Sequence, residues 1–249
     1  MAPFPPGPED YRPYLCSGAE LAESYVRCRA SGVLPELARP RKILPPARLT
    51  SRLKANAALL TLVERFITPV GFTSPQRSYI YILCDKDLVA LKIFAAADVL
   101  AATEKAGVKP GTVFTEASCG TNALALAREH QRLVAIRGEQ HYCRLFKDWW
   151  CVASPLKDPE GEILGYLDIS MHAEKELGLA AAHLRTLVDS MQREFLLLEL
   201  SQRGQADLLA PVSLHIPPEV ERKLTRRERE VLQLILDGWT MQRSQDDFI

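Results

Sequence analysis

The stretch Thr115-Glu116-Ala117-Ser118-Cys119-Gly120-Thr121-Asn122-Ala123 stands at the centre of residues 111–170, the region around which the chain is organised. In it, a glycine and small polar residues precede an apolar-periodic segment, residues 123–127. Small polar residues in such a place favour a helix start, because the first backbone N–H groups of a helix lack intrahelical partners. The sequence therefore predicts a helix that begins near Gly120 and presents free N–H groups and a partial positive charge to whatever precedes it.

Apolar runs on both sides of this helix predict an antiparallel sheet. The last two runs are joined by Asp158-Pro159-Glu160-Gly161, in which proline and glycine supply a hairpin turn. Two earlier runs pair around Asp85-Lys86-Asp87. The predicted strands comprise residues 79–84, 88–94, 133–136, 149–156 and 163–170. Because further helices gather at the flanks, the predicted fold class is α+β, an antiparallel sheet flanked by long amino- and carboxy-terminal helices.

Apolar residues at helical spacing predict further helices over residues 18–30, 47–68, 96–105 and 177–200. The helix at 47–68 is expected to pack on the domain or on a second copy of it. Two interpretations stay open for 177–200: its apolar stripe packs on its own sheet, or it forms a dimer that carries a signal. The stripe consists of Leu184, Leu187, Val188, Met191, Phe195 and Leu198.

Composition excludes several function classes. Lys+Arg and Asp+Glu number 31 each in 249 residues, so no overall basic surplus points to nucleic acid or an anionic membrane. No signal segment opens the chain, and no apolar run approaches the roughly 18 residues that would span a bilayer. We therefore expect a cytoplasmic protein without membrane contact, whose six cysteines are reduced thiols.

Proline and glycine mark the predicted boundaries of the chain's segments. Residues 1–46 form a Pro-rich start, expected to be poorly ordered to about residue 15, followed by a helix. Residues 47–200 form the central domain with its flanking helices. Residues 201–218 form a linker, and residues 219–249 a short helical end.

Six motifs stand in order along the centre of the chain: Glu116, Gly120-Thr121-Asn122-Ala123, His141-Tyr142-Cys143, Cys151-Val152-Ala153-Ser154-Pro155-Leu156, Asp158-Pro159-Glu160-Gly161 and Gly165-Tyr166-Leu167-Asp168-Ile169-Ser170. This ordered set resembles the amino-terminal sensory GAF domain of the activators of acetoin and dihydroxyacetone catabolism. Residues 23–35 resemble the opening of the same family. The resemblance implies a GAF-like fold that senses a small polyol, ketone or related carbon source.

Residues 224–238 predict a helix with Thr225 and Glu228 as a capping box. This run resembles the first helix of a LuxR-type helix-turn-helix domain. Only residues 239–249 follow it, and residues 219–249 carry six basic against seven acidic side chains. Without a recognition helix or a positive surplus, we expect no specific DNA binding by the chain as printed, and DNA is a partner only if the helix-turn-helix is completed.

Polar and aromatic residues of the central motifs are the predicted lining of a ligand pocket: Glu116, Thr121, Asn122, His141, Trp149 and Trp150. Alternatives stay open for two of them, because Asn122 could satisfy backbone groups in a turn and His141 could be a core histidine. Asp168 is expected to be structural. The family often has Glu directly before the histidine, whereas this chain has Gln140.

Thiol chemistry is the alternative from the enzyme class. Cys119, next to the expected helix start, would have a lowered pKa there, and Cys84, Cys143 or Cys151 could act with it in a thiol oxidoreductase or redox sensor. A nucleophilic pair of Cys119 with His141 also stays open. His141 and Cys143 fall short of a structural zinc set, so we expect no metal and no cofactor.

The sequence as a whole predicts a cytoplasmic transcriptional regulator, not an enzyme. A small metabolite in the GAF domain would shift the packing of the flanking helices in a homodimer and so act on the carboxy-terminal module. The chain lacks the G-x-x-x-x-G-K-[ST] loop of an ATPase domain. A third hypothesis is a dimerising antagonist that blocks an intact partner and does not bind DNA.

Overall fold

A computed structural model describes residues 14–68, 79–172 and 178–202. The chain divides into two compact units, residues 1–196 and 197–249. Most of the Pro-rich start, most of the predicted linker and the whole LuxR-like run lie outside the described residues. The sheet and the helices that pack on it belong to the first unit.

Seven helices and five strands make up the described residues. The helices are α1 Gly18–Ala30, α2 Pro46–Ala55, α3 Ala57–Ile67, α4 Ala97–Lys105, α5 Glu116–Cys119, α6 Ala123–His130 and α7 Gly178–Gln202. The strands are β1 Ile80–Asp85, β2 Ala90–Phe94, β3 Val134–Arg137, β4 Trp149–Lys157 and β5 Ile163–His172. Short 3₁₀ turns occur at Gly138–Gln140 and Arg144–Phe146.

The five strands form one antiparallel sheet in the order β2-β1-β5-β4-β3. The predicted α+β class and the predicted hairpin are both confirmed. In the β4–β5 turn, Asp158 Oδ1 accepts the Glu162 N–H at 2.8 Å, and Gly161 adopts a φ of 90°. Such a positive φ favours glycine, so the turn chemistry of the sequence fixes this connection.

Alternation along each strand divides the core into two faces. On the first face, Ile80, Ile82, Cys151 and Tyr166 pack with α6. On the second face, residues such as Tyr81, Leu167, Ile169 and Met171 pack with α3 and α7. The sheet is therefore covered on both sides, and each central strand touches two separate apolar layers.

The predicted single helix over 47–68 is wrong, because Asn56 divides it into α2 and α3. Asn56 has a φ of −112° and a ψ of 22°, outside the helical range. Its side-chain Nδ2 donates to the Arg52 carbonyl at 2.8 Å, and its backbone N–H donates to the same oxygen at 3.1 Å. A short amide that bonds to nearby backbone competes with helix continuation, which explains the break.

The stripe on α7 packs on the sheet of its own chain. Leu184, Leu187, Val188 and Met191 are buried in the second layer, and Phe195 packs against it. Arg65 of α3 also pairs with Glu194 of α7 at 3.1 Å. Five of the six stripe residues thus pack within one chain, whereas Leu198 is 40% exposed, so any dimer contact of α7 involves Leu198 or residues outside the stripe.

Candidate functional site

A cavity of about 580 Å³ lies between the first face of the sheet and α4. Nine of its described lining residues are apolar and four are polar. They are Ile80, Ile82, Asp98, Val99, Ala102, Thr103, Ala106, Val108, Leu145, Phe146, Trp149, Ser170 and His172. A mostly apolar wall with a few polar groups is typical of small-molecule sites of this size.

Strand and helix periodicity decide which side chains reach the cavity. Ile80 and Ile82 on β1 and Ser170 and His172 on β5 are two residues apart, so each pair lies on one face of the sheet. Helix α4 contributes residues 98, 99, 102 and 103, and its C-cap residue 106 continues the three-to-four spacing of one helical face. The cavity is therefore bounded by one sheet face and one helix face.

Ser170 is buried at the wall of the cavity and bonds to groups behind it. Its hydroxyl lies 2.5 Å from Asp168 Oδ2 and 3.2 Å from Cys151 Sγ. Burial raises the pKa of Asp168 to about 7, because the charged carboxylate is poorly solvated there, and the Ser170 hydrogen bond acts in the opposite direction. The serine thus connects the cavity to a carboxyl group that changes charge near neutral pH.

A small void of about 20 Å³ is lined by Asp168 and by three residues it shares with the cavity, Ile82, Phe146 and Ser170. Asn122 is also part of its lining. The Asn122 side chain accepts the Ala125 N–H at 3.0 Å and donates to the carbonyls of Phe114 and Gly120 at 2.9 and 2.8 Å. Asn122 is therefore the residue that caps α6, and the helix predicted to begin near Gly120 begins at Ala123.

Of the two predicted tryptophans, the structure places Trp149 on the cavity wall and Trp150 on the opposite face. They are neighbours on β4, and successive residues of a strand point to opposite sides. Trp150 is buried in the second layer, with the Arg137 guanidinium 5.0 Å from its ring centre. The pair therefore does not form a joint aromatic wall.

Glu116 and Thr121 hold α1 and are not among the described residues that line the cavity. The Glu116 carboxylate accepts hydrogen bonds from two Arg27 nitrogens, Nε at 2.7 Å and a second one at 2.9 Å. It also accepts a hydrogen bond from the Ser24 hydroxyl at 2.5 Å. Thr121 is fully buried and lies 2.7 Å from the same Ser24 oxygen. These contacts occupy the polar atoms that we predicted would face a ligand.

His141 is buried next to the cavity wall, and its ring centre lies 5.9 Å from that of Phe146. Its Nδ1 lies 3.0 Å from the Gly138 carbonyl, while its Nε2 has no hydrogen-bond partner among the described residues. Burial lowers the pKa of His141 to about 4, so its ring is neutral at pH 7. His141 is not among the residues that line the cavity.

All six cysteines are free and buried. Burial raises the pKa of Cys119 and Cys143 to about 12, and raises the pKa of Cys84 and Cys151 well above its usual range. The expected lowered pKa of Cys119 is wrong because the thiol is buried and its thiolate would be poorly solvated. Cys119 also ends α5 and does not stand directly at a helix start. Residues 120–122 separate it from α6, which begins at Ala123.

Several lining residues were not predicted from the sequence: those of α4, the pair Leu145 and Phe146, and Ser170 and His172. For β5 a signal existed, since Asp168, Ser170 and His172 alternate with Ile169 and Met171. That period of two separates a polar face from an apolar one. For α4 no local signal distinguishes a cavity wall from an exposed helix.

Within the part of the chain that the structure describes, no helix is both long and apolar enough to cross a bilayer. The same residues bring together no group of three or more His, Cys, Asp or Glu that could hold a metal ion.

Two curated regulators are similar to this chain in sequence. The acetoin dehydrogenase operon transcriptional activator AcoR of Bacillus subtilis is 29% identical over 166 residues, which cover 65% of this chain and 27% of that protein. A signal-transduction and transcriptional-control protein of Clostridium beijerinckii is 24% identical over 176 residues, which cover 69% and 28% respectively. The chain thus spans less than a third of the length of these relatives. No protein-family model matches it.

A solved structure shares the fold. The E. coli DhaR(N) chain, solved in complex with DhaL, superimposes with a TM-score of 0.68 over 79% of this chain and 68% of the other, at 21% identity. The match agrees with the antiparallel sheet and flanking helices described above. The fold is therefore α+β and GAF-like, and the sequence similarities support a sensory domain of the kind found in transcriptional activators.

Proposed function

We propose that this chain carries the ligand-sensing domain of a transcriptional regulator and that a small metabolite binds in the cavity between the sheet and α4. The observation that carries the proposal is the cavity itself, with its apolar wall and few polar groups. The similarity to two transcriptional regulators supports the regulatory role. The family resemblance suggests polyols, ketones or related carbon sources, and it also suggests a cytoplasmic location.

The two central strands provide a route from the cavity to α7. On β1, Ile80 and Ile82 line the cavity, while Tyr81 between them points to the second face. The Tyr81 hydroxyl lies 3.1 Å from Nε2 of His183 on α7. Because tightly packed layers transmit small displacements, a ligand that moves β1 changes the packing of α7.

The strand β5 provides a second route of the same kind. Ser170 faces the cavity, and its neighbours Ile169 and Met171 are buried against the helices of the second face. A ligand bonded to Ser170 therefore acts on a strand whose other side supports α7. One strand's thickness therefore separates the proposed ligand site from the side chains that pack with α7.

We propose that the ligand signal is passed on through a homodimer, whose interface is formed by α2 and the outer side of α7. Helix α2 buries none of its residues within the chain, although Leu53 is packed against the second layer. A helix that buries no residue within its own chain leaves most of its surface available to a partner. Sedimentation analysis that finds only monomers, with or without a bound metabolite, contradicts this part of the proposal.

Redox sensing by thiols has little support from the site. The thiolate is the reactive form, and the pKa of each of the six cysteines is raised by burial. A mild oxidant should therefore leave all six thiols titratable in the folded protein. Formation of a reversible disulfide at low oxidant would favour the thiol hypothesis instead.

The proposal is tested by thermal-shift screening of the protein against a metabolite panel, with two matched variants. Ala102→Trp places a large ring at the cavity, whereas Ala101→Trp puts the same ring on the adjacent α4 residue that does not line it. We expect at least one metabolite to raise the Tm of the wild type and of Ala101→Trp, but not of Ala102→Trp. No stabilising metabolite, or equal shifts in both variants, would overturn the proposal.

A further inference from the structure

We propose that the cavity takes a neutral, largely apolar metabolite that donates a hydrogen bond, such as a phenol, an alcohol or an N–H compound, in preference to a simple ketone or a carboxylate. This inference rests on the proposed function, because it concerns the same cavity. It is argued from the size of the cavity, the charge of its wall and the hydrogen atoms that the wall hydroxyls have available.

The size of the cavity sets the scale of the ligand. Liquid water occupies about 30 Å³ per non-hydrogen atom, so 580 Å³ corresponds to a ligand on the order of ten to twenty such atoms. A four-carbon ketone leaves most of that volume unfilled. Since apolar residues dominate the wall, the added atoms are chiefly carbon, and their burial supplies most of the affinity.

The charges near the cavity disfavour an anion. The described lining contains no lysine or arginine, and its one carboxylate residue, Asp98, lies exposed on α4. A second carboxyl, Asp168, lies directly behind Ser170. A carboxylate or phosphate would lose its hydration in this cavity without gaining a lysine or arginine partner, which disfavours its binding.

Two buried hydroxyls of the cavity wall already donate their hydrogen atoms to acceptors within the protein. Thr103 donates to the Leu100 carbonyl at 2.9 Å, within its own helix. Ser170 donates to Asp168 Oδ2 at 2.5 Å. If a protonated Asp168 donates to Ser170 instead, the Ser170 hydrogen still has Cys151 Sγ at 3.2 Å as an acceptor. Towards the cavity, both hydroxyls therefore offer only lone pairs.

A wall that only accepts hydrogen bonds selects a ligand that donates one. A ligand carbonyl placed against Ser170 or Thr103 would set acceptor against acceptor, whereas a hydroxyl or N–H completes the bond. The potential donors of the lining, Trp149 and His172, are half-buried and exposed respectively, so water competes for them. A ligand with both groups, such as a hydroxyketone, would direct its donor to the buried end.

The experiment uses probe pairs of similar size and shape, in which one member has a hydrogen-bond donor and the other does not. The pairs are 4-ethylphenol with its O-methyl ether, and cyclohexanol with cyclohexanone, measured by calorimetry on the full chain at pH 7. 4-Ethylbenzoate tests the charge argument. We expect the phenol and the alcohol to bind roughly tenfold or more tightly than their partners, and the benzoate to bind least.

Matched serine variants identify the acceptor. Ser170→Ala should reduce the preference for the donor probe to below about threefold, since the lone pair is gone. Ser154→Ala is the control, because Ser154 is buried to the same extent, 6% exposed, but lies on the second face. The preference should remain in Ser154→Ala, and Thr103→Val should lower it only in part.

The outcomes separate this inference from the proposed function. If ketones, ethers or carboxylates bind as tightly as the donors and Ala102→Trp abolishes that binding, the donor inference is wrong and the sensor proposal stands. If the donor preference is unchanged in Ser170→Ala, the inference is also wrong. If no compound of any class binds in a way that Ala102→Trp prevents, the proposed function itself fails.

Discussion

The Arg27 guanidinium of α1 forms a bidentate ion pair with the Glu116 carboxylate of α5. Its Nε lies 2.7 Å from Oε2, and a second nitrogen lies 2.9 Å from Oε1. The hydrogen bond to Glu116 also raises the pKa of Arg27. Two parallel charge-assisted bonds of this kind fix orientation as well as distance. The contact joins residues 89 positions apart and makes α1 part of the domain that contains the cavity.

Replacement of this carboxylate should therefore cost stability. Glu116→Ala is expected to lower the free energy of unfolding by about 1–3 kcal/mol, because Glu116 is only 14% exposed and its loss leaves Arg27 and Ser24 without their shared acceptor. Urea denaturation measures this change.

Glu129→Ala serves as the control for Glu116→Ala. Its carboxylate lies 3.6 Å from Arg27 and is half-exposed, so we expect a change within about 0.5 kcal/mol. A Glu116→Ala protein that keeps its stability but binds metabolite more weakly would instead support the ligand-binding role predicted from the sequence.

Gly120 is expected to tolerate no side chain. It has a φ of 70° and a ψ of −169°, and an added Cβ would collide with Cys143 Sγ. Gly120→Ala should destabilise the protein by roughly 3 kcal/mol or more, as backbone strain and steric overlap add. Thermal or urea unfolding measures the loss.

Gly161→Ala separates the two contributions to that loss. Gly161 also has a positive φ, 90°, but nothing lies within 4 Å of its added Cβ. We expect only the strain cost, about 1–2 kcal/mol. Equal losses at the two positions would mean that the Cys143 contact is unimportant.

The buried carboxyl of Asp168 should make stability depend on pH. Its folded pKa of about 7 lies above the usual 3.8, so the folded state holds the proton more tightly. The contribution of Asp168 to the free energy of unfolding is fully present below about pH 4 and is lost as the pH rises through 7. Asp168→Asn should therefore gain stability relative to wild type between pH 4 and 7, by up to about 1.4 kcal/mol per pH unit.

This difference is measured by urea denaturation of both proteins at matched pH values. A constant difference between wild type and Asp168→Asn from pH 4 to 8 would show that the carboxyl is not perturbed. The hydroxyl of Ser170 should remain bonded in the variant, because an amide oxygen also accepts.

His141 should change the stability with pH in the opposite direction to Asp168. Its folded pKa of about 4 lies below the usual 6.5, so its stabilising contribution is present above pH 6.5 and is lost as the pH falls through 4. His141→Gln should therefore lose less stability than wild type on acidification over this range. NMR titration of the ring protons provides an independent check, and a ring that titrates near pH 6.5 would contradict burial of the imidazole.

Local chemistry was enough to predict the elements themselves. The bounds of α1 agree with the prediction because Ser17 and Glu20 form a capping box and Gly32 follows with a positive φ. The β4–β5 hairpin follows from Asp158 and Gly161 in the same way. The break at Asn56 was also local, and it was missed because apolar periodicity alone does not reveal a side chain that bonds to its own helix.

The composition of the site was beyond local inference. Trp149 and Trp150 are equivalent in the sequence, and only the pairing of β4 with β3 and β5 decides which one faces the cavity. The α4 wall depends likewise on where a helix of ordinary composition comes to lie. A cavity is the space that several packed elements leave between them, so no single segment encodes it.

The stretch from Thr115 to Ala123 contains both kinds of information. By itself the sequence determined that a glycine and an asparagine precede a helix, because backbone geometry and capping are properties of neighbouring residues. Only the tertiary structure decided that the Asn122 side chain caps α6 and that Glu116 pairs with Arg27. It also decided that Ser170, far along the chain, is a buried polar group on the cavity wall. Hydrogen-bond partners from distant segments decide which polar atoms remain available to a ligand.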